Sequence, residues 1–162
     1  MKPRWPPAVI KRYPFSIETM KEILALLKDR PTGRTSIRFV QRCGKVVPDV
    51  LKDLGLNESG GELRIIDLLT AKSILREIFQ HDLQYWGEVM PQELATEHAE
   101  NIISLIYREN SQIYTNGPWE ELQVLRHSTG YSFSNLTDST FDAGIVVISD
   151  DYAAAVLVEE ED

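Results

Sequence analysis

The chain of 162 residues is 43% hydrophobic and 26% charged, with a mean hydropathy of -0.23. That is enough apolar chain for one core, without the polarity of a disordered segment. A single cysteine, Cys43, rules out an internal disulfide and any zinc site built on several cysteines. The net charge of -8 hides a division: residues 1–80 hold 15 Lys and Arg against 9 acids, whereas residues 81–162 hold only Arg108 and Arg126 against 16.

Prolines at positions 3, 6, 7 and 14 keep the opening segment from being helical. Residues 1–15 are therefore expected to form an extended basic arm, and residues 16–162 a single α+β domain. Ser16 is placed to cap a helix whose face is Ile17, Met20, Leu24 and Leu27, ended by Pro31 and Gly33. Thr35 to Gln41 alternates as a strand, with Ile37 and Phe39 inward and Arg38 on a basic side. Pro48 opens two turns of helix bearing Val50, Leu51 and Leu54, closed by Gly55.

Glu62 to Ile66 is ambiguous between a strand and a helical turn. From Asp67, Ala71, Ile74, Leu75, Ile78, Phe79, Leu83 and Trp86 recur at helical spacing. Pro91 starts another helix to about Tyr107, with Leu94, Ala95, Ala99, Ile102, Ile103 and Ile106 inward and Glu93, Glu97 and Glu100 outward. After Gly117 and Pro118 the pattern changes to short strands at Leu122–Arg126, Tyr131–Ser134, Ile145–Ile148 and Ala153–Val158. The last two are joined across Ser149, Asp150 and Asp151, and their unbroken apolar character calls for cover on both faces. The expected architecture is a mostly helical N-terminal part packed on a C-terminal antiparallel meander that ends in a hairpin.

No segment specifies a reaction. GxxxxGK[ST], GxGxxG after a strand, GxSxG and HExxH are all absent. His81 beside Asp82 is too generic a pair to assign proton transfer, His98 and His127 stand alone, and Cys43 reads as a small residue at a strand end. Asp138 and Asp142 do not follow the spacing of a calcium loop, so neither a catalytic residue nor a metal or other cofactor is assigned. The Tyr152 to Val158 run, seven residues, is the longest apolar stretch, against about 20 for a bilayer span. No stretch of signal-peptide length follows the basic start, so a cytoplasmic protein without a membrane association is expected.

Charge therefore carries the functional expectation. The terminal hairpin brings Glu159, Glu160, Glu161 and Asp162 back beside Asp138 and Asp142, while Asp150 and Asp151 occupy its far end. Together with Glu93, Glu97 and Glu100 these acids describe a surface for a basic protein partner, with Trp119, Tyr131 and Tyr152 as aromatic anchors if exposed. A non-enzymatic inhibitor or immunity-type factor that occludes a toxin or nucleic-acid-binding effector is the concrete form. Four alternatives stand beside it: the two halves neutralise one another within the domain; they meet between copies, in an oligomer of unknown order; the basic segment binds nucleic acid through Lys2, Arg4, Lys11 and Arg12, interleaved with Trp5 and Tyr13, and through Arg34, Arg38, Arg42 and Lys45; or the chain is a small hydrolase whose carboxylates, Asp142 among them, hold a metal.

Overall fold

A computed structural model of the chain describes residues 28–57, 63–121 and 133–161. The expected basic arm, the helix from Ser16, the strand Leu122–Arg126, Tyr131, His127 and Asp162 lie outside those residues. The described elements are β1 (Arg34–Gln41), α1 (Val47–Asp53), β2 (Arg64–Ile66), α2 (Leu68–Gln80), α3 (Gln92–Ile106), β3 (Gln112–Thr115), a 3-10 turn (Trp119–Glu121), β4 (Phe141–Ile148) and β5 (Tyr152–Glu160). The strands form one sheet in the order β1-β5-β4-β3-β2, antiparallel at every junction. The architecture is α+β, with the C-terminal meander running through β3, β4 and β5.

β4 and β5 are apolar on both sides because both sides are covered. Ala143, Ile145 and Val147 of β4 with Ala154, Val156 and Val158 of β5 face α2 and α3, meeting Ile74, Leu75, Ile78, Ala99, Ile102 and Ile106. The alternate residues, Val146, Ile148, Ala153, Ala155 and Leu157, face Val50, Leu51 and Leu54 of α1 together with Leu136. Each fully buried Val or Leu contributes about 1.5–3 kcal/mol relative to exposure. The hairpin turn falls at Ser149 to Asp151, where Ser149 N–H donates to the Tyr152 carbonyl.

Local signals account for the helix ends. Pro48 sits in the first turn of α1, and Gly55 follows at φ 75°, a conformation that suits glycine. The Asp67 carboxylate caps α2 by accepting from Thr70 N at 2.7 Å. Two expectations need correction. α2 stops at Gln80, so Leu83 and Trp86 continue its periodicity while lying outside it; both are buried from the connector between α2 and α3. The helix ends because Asp82 accepts from the amides of Gln84, Tyr85 and Gly87 and closes a turn. At 131–134, the described residues Phe133 and Ser134 belong to no strand; Ser134 N instead donates to Asn116 O. The strand beside β4 is Gln112–Thr115, which the sequence pattern did not single out.

Gly144 tests the tightness of the central pairing. A Cβ there would stand 2.0 Å from the Val156 carbonyl oxygen and 2.8 Å from Leu157 Cδ2. Gly144→Ala should lower stability by at least about 2 kcal/mol in urea unfolding, by overpacking against backbone. An unchanged midpoint would contradict this packing.

Candidate functional site

The hairpin register places the acids as its geometry requires: Asp142 is opposite Glu159 and Phe141 is opposite Glu160. Like charges directly opposite repel, yet neither carboxylate is left to water. β1 pairs with β5 so that Arg34 stands opposite Glu159, with Arg34 Nη2 at 2.9 Å and Arg38 Nη2 at 3.8 Å from its carboxylate. Ser139 Oγ also donates to Glu159. On the helix side, Arg30 lies 2.5 Å from Glu160, while its guanidinium also donates to the carbonyls of Ile78 and His81. Glu160 accepts from Leu83 N as well. Of the acids expected to present free negative charge at this end, Glu159 and Glu160 are therefore neutralised by arginines from the basic half, while Glu161 is exposed and accepts from Thr140.

Asp142 is fully buried, at 0% exposure. Its oxygens accept from Asn116 Nδ2 at 2.8 Å, from the amides of Leu136 and Thr137, and from Thr137 Oγ1. Asn116 Oδ1 in turn accepts from Trp119 Nε1 at 2.9 Å and Gly144 N at 3.3 Å. This network fastens the 133–137 segment and the end of β3 to β4. A carboxylate with this many donors is held by the fold rather than offered to a partner.

Four of the residues expected on an interface thus belong to the interior. Asp142 and Glu159 are buried polar groups, Trp119 is 0% exposed, and the Tyr152 hydroxyl donates to the Ile106 carbonyl. Glu160 is partly covered by Arg30. Asp138, Asp150, Asp151, Glu93, Glu97 and Glu100 are exposed, and among the described residues none of the six joins an ion pair. Glu93, Glu97 and Glu100 lie at helical spacing on α3, which contains no Lys or Arg.

The described part of the basic segment is also engaged internally. Besides Arg34, Arg38 donates to the carbonyls of Leu54 and Gly55, Arg42 to those of Lys45 and Ser149, and Lys45 pairs with Asp53 at 2.6 Å. These contacts direct Arg38 and Arg42 onto the domain and away from a phosphate backbone. Cys43 is exposed, in a left-handed turn conformation at φ 49°. Among the described residues no three His, Cys, Asp or Glu side chains gather as a metal-ligating group, and no helix is long and apolar enough to cross a membrane.

The end of α2 and the connector hold a constellation that sequence adjacency did not reveal. The carboxylate beside His81 is Glu77, one helical turn earlier, with Oε2 3.3 Å from Nδ1; Asp82 is bound to amides of its own turn. The His81 ring stacks on Trp86 with centroids 5.1 Å apart and planes 13° from parallel. Trp86 adopts φ 62°, a left-handed conformation that costs a bulky residue about 1–3 kcal/mol and persists only where packing imposes it. His98 is buried at 2% exposure and meets Asp29 at 3.2 Å.

Comparisons with protein-family models, curated proteins and solved structures returned no match.

Two stability measurements test this assignment of the acids. Asp142→Asn should cost about 2–4 kcal/mol in chemical unfolding, because the amide brings a donor among groups that already donate and removes charge-assisted bonds. For Glu159, burial pushes the carboxyl up. Hydrogen bonds from Arg34 and Ser139 and the charges of Arg34 and Arg38 outweigh burial and hold it below the ordinary glutamate value of 4.5. A native value below the unfolded one adds stability that is complete above the ordinary value and fades as pH falls through the native value. Arg34→Ala should therefore raise the pH midpoint of acid unfolding, followed by circular dichroism; an unmoved midpoint would remove Arg34 from this role.

Proposed function

We propose that the protein is a non-enzymatic, cytoplasmic binding factor that recognises a basic protein through the outer face of α3. The observation that carries this reading is the sorting of the acids. At the open end of the terminal hairpin Glu159 and Glu160 are matched to arginines and Asp142 to amides, whereas Glu93, Glu97 and Glu100 form an exposed stripe on a helix without Lys or Arg and join no ion pair among the described residues. Seven residues of helix place the first and last glutamate about 10 Å apart along the axis. Three carboxylates on one rigid face focus a negative field that accelerates encounter with a cationic surface and disfavours a polyanion. Asp150 and Asp151 at the hairpin turn and Asp138 extend the negative potential elsewhere on the surface. Blocking a basic toxin or nucleic-acid-binding effector, in the manner of an inhibitor or immunity protein, is the form of action this chemistry fits.

The experiment is capture from a lysate of the native source, comparing the wild type with the Glu93→Gln, Glu97→Gln, Glu100→Gln triple variant. One basic protein retained by the wild type at about 0.1 M salt, and lost from the variant or at about 0.5 M, is the expected result; surface charges act within a Debye length of about 10 Å at 0.1 M. Equal retention by both proteins would overturn the assignment to α3. Nucleic acid in the eluate would redirect attention to the basic residues of the N-terminal segment.

A further inference from the structure

The fold dictates two neighbouring residues just past the end of β3, and together they make a reactive pair. Position 116 needs one side chain that both donates and accepts. Its amide nitrogen donates to the Ser134 carbonyl at 3.0 Å, to the Asp142 carbonyl at 2.9 Å and to Asp142 Oδ1 at 2.8 Å, while its oxygen accepts from Trp119 Nε1 and Gly144 N. An ionised aspartate in its place has nothing to donate and brings a second carboxylate against Asp142, which is itself buried. Position 117 needs a residue without a side chain. A Cβ there would stand 2.7 Å from Trp119 Cε2 and 2.9 Å from Phe133 Cβ, and Trp119 is held in the core at 0% exposure.

Asparagine followed by glycine is the sequence in which a peptide nitrogen most readily attacks the preceding side-chain amide, because glycine puts no Cβ in the way of the ring that forms. The chain holds five asparagines, and only Asn116 precedes a glycine. The folded state opposes the reaction at that position. Asn116 is 2% exposed, and turning its amide toward the Gly117 nitrogen requires breaking the hydrogen bonds that fasten it to β4, Ser134 and Trp119.

We propose that Asn116–Gly117 is a self-modification site, shielded while the network around Asp142 is closed and reactive when it opens, and that its product cannot close the network again. The Gly117 nitrogen bonds to Asn116 Cγ, the Cγ–Nδ2 bond breaks, and Nδ2 leaves as ammonia, taking up the proton that the Gly117 nitrogen gives up. Water then opens the cyclic imide at either carbonyl, its hydroxyl going to carbon and its proton to nitrogen, and leaves aspartate or isoaspartate; nothing is oxidised or reduced. Either product puts a carboxylate where an amide donated to Asp142, and isoaspartate also adds a methylene to the main chain between β3 and the turn at Trp119. A chain that has opened here thus carries a covalent record of it. The inference is independent of the partner proposed for α3.

The test follows the full chain at one temperature and one mildly alkaline pH, folded in buffer and unfolded in urea, by peptide mapping with mass spectrometry. In urea, conversion at Asn116 should be the fastest among the asparagines. In the folded protein it should be at least about tenfold slower, since it waits on local opening. Gly117→Ala, which need not fold for this measurement, should slow conversion in urea by about tenfold. On dilution from urea, the fraction that regains the native circular dichroism should fall in step with conversion at position 116, and Asn116→Asp should unfold at a lower urea concentration than the wild type or not fold at all. Equal rates at Asn116 in folded and unfolded protein, a faster reaction at another asparagine in urea, or an Asn116→Asp variant as stable as the wild type would overturn the proposal.

Discussion

β4 and β5 carry apolar side chains on both faces, and a strand pair of that kind is stable only where both faces and both long edges are covered. Most of the described fold follows from this requirement. α2 and α3 close one face and α1 with Leu136 closes the other, while β3 pairs along β4 and β1 along β5. Glycine at position 144 lets the backbones of the pair approach where a Cβ would strike the Val156 carbonyl. The hydrophobic term supplies the driving force, and the antiparallel register decides which residues meet at the ends of the pair.

The polar ends of the hairpin are where that register has electrostatic consequences. It sets Asp142 opposite Glu159, an unfavourable pair in isolation. Two different solutions operate within one cross-strand position: Asp142 is surrounded by amide and hydroxyl donors, and Glu159 by Arg34, Arg38 and Ser139. Arg30 repeats the second solution for Glu160 and at the same time ties down the end of α2 through the carbonyls of Ile78 and His81. The charge asymmetry of the chain is thus partly a folding device. Basic residues placed early find acidic residues placed late, and the strand pairing of β1 with β5 brings them together.

What this neutralisation leaves over is informative about function. With Glu159, Glu160 and Asp142 matched, negative charge that joins no ion pair among the described residues includes the outer face of α3, the hairpin turn, Asp138 and Glu161. α3 is anchored by an apolar inner face, so its glutamates are displayed on a rigid support. The connector that leads into α3 is shaped by Asp82, Trp86 and Arg30 rather than by regular hydrogen bonding.

The sequence by itself determined the elements whose signals are local. The spacing of Ala71 to Phe79 and of Ala95 to Ile106, the proline at 48, the capping Asp67, the alternation around Ile37 and Phe39, and the two apolar runs flanking Ser149 to Asp151 each depend on side chains a few residues apart. The exposed stripe of Glu93, Glu97 and Glu100 was legible for the same reason. Tertiary structure alone decided which acids are free. Asp142, Glu159, Trp119 and Tyr152 are removed from the surface by contacts with residues far along the chain, and composition cannot show which arginine meets which carboxylate. It also decided that Leu83 and Trp86 pack into the core from outside the helix, since an unbroken apolar spacing does not reveal that Asp82 ends the hydrogen-bond ladder. The pairing of His81 with Glu77 rather than with Asp82 has the same cause: neighbours in sequence point apart, and residues one helical turn apart share a face.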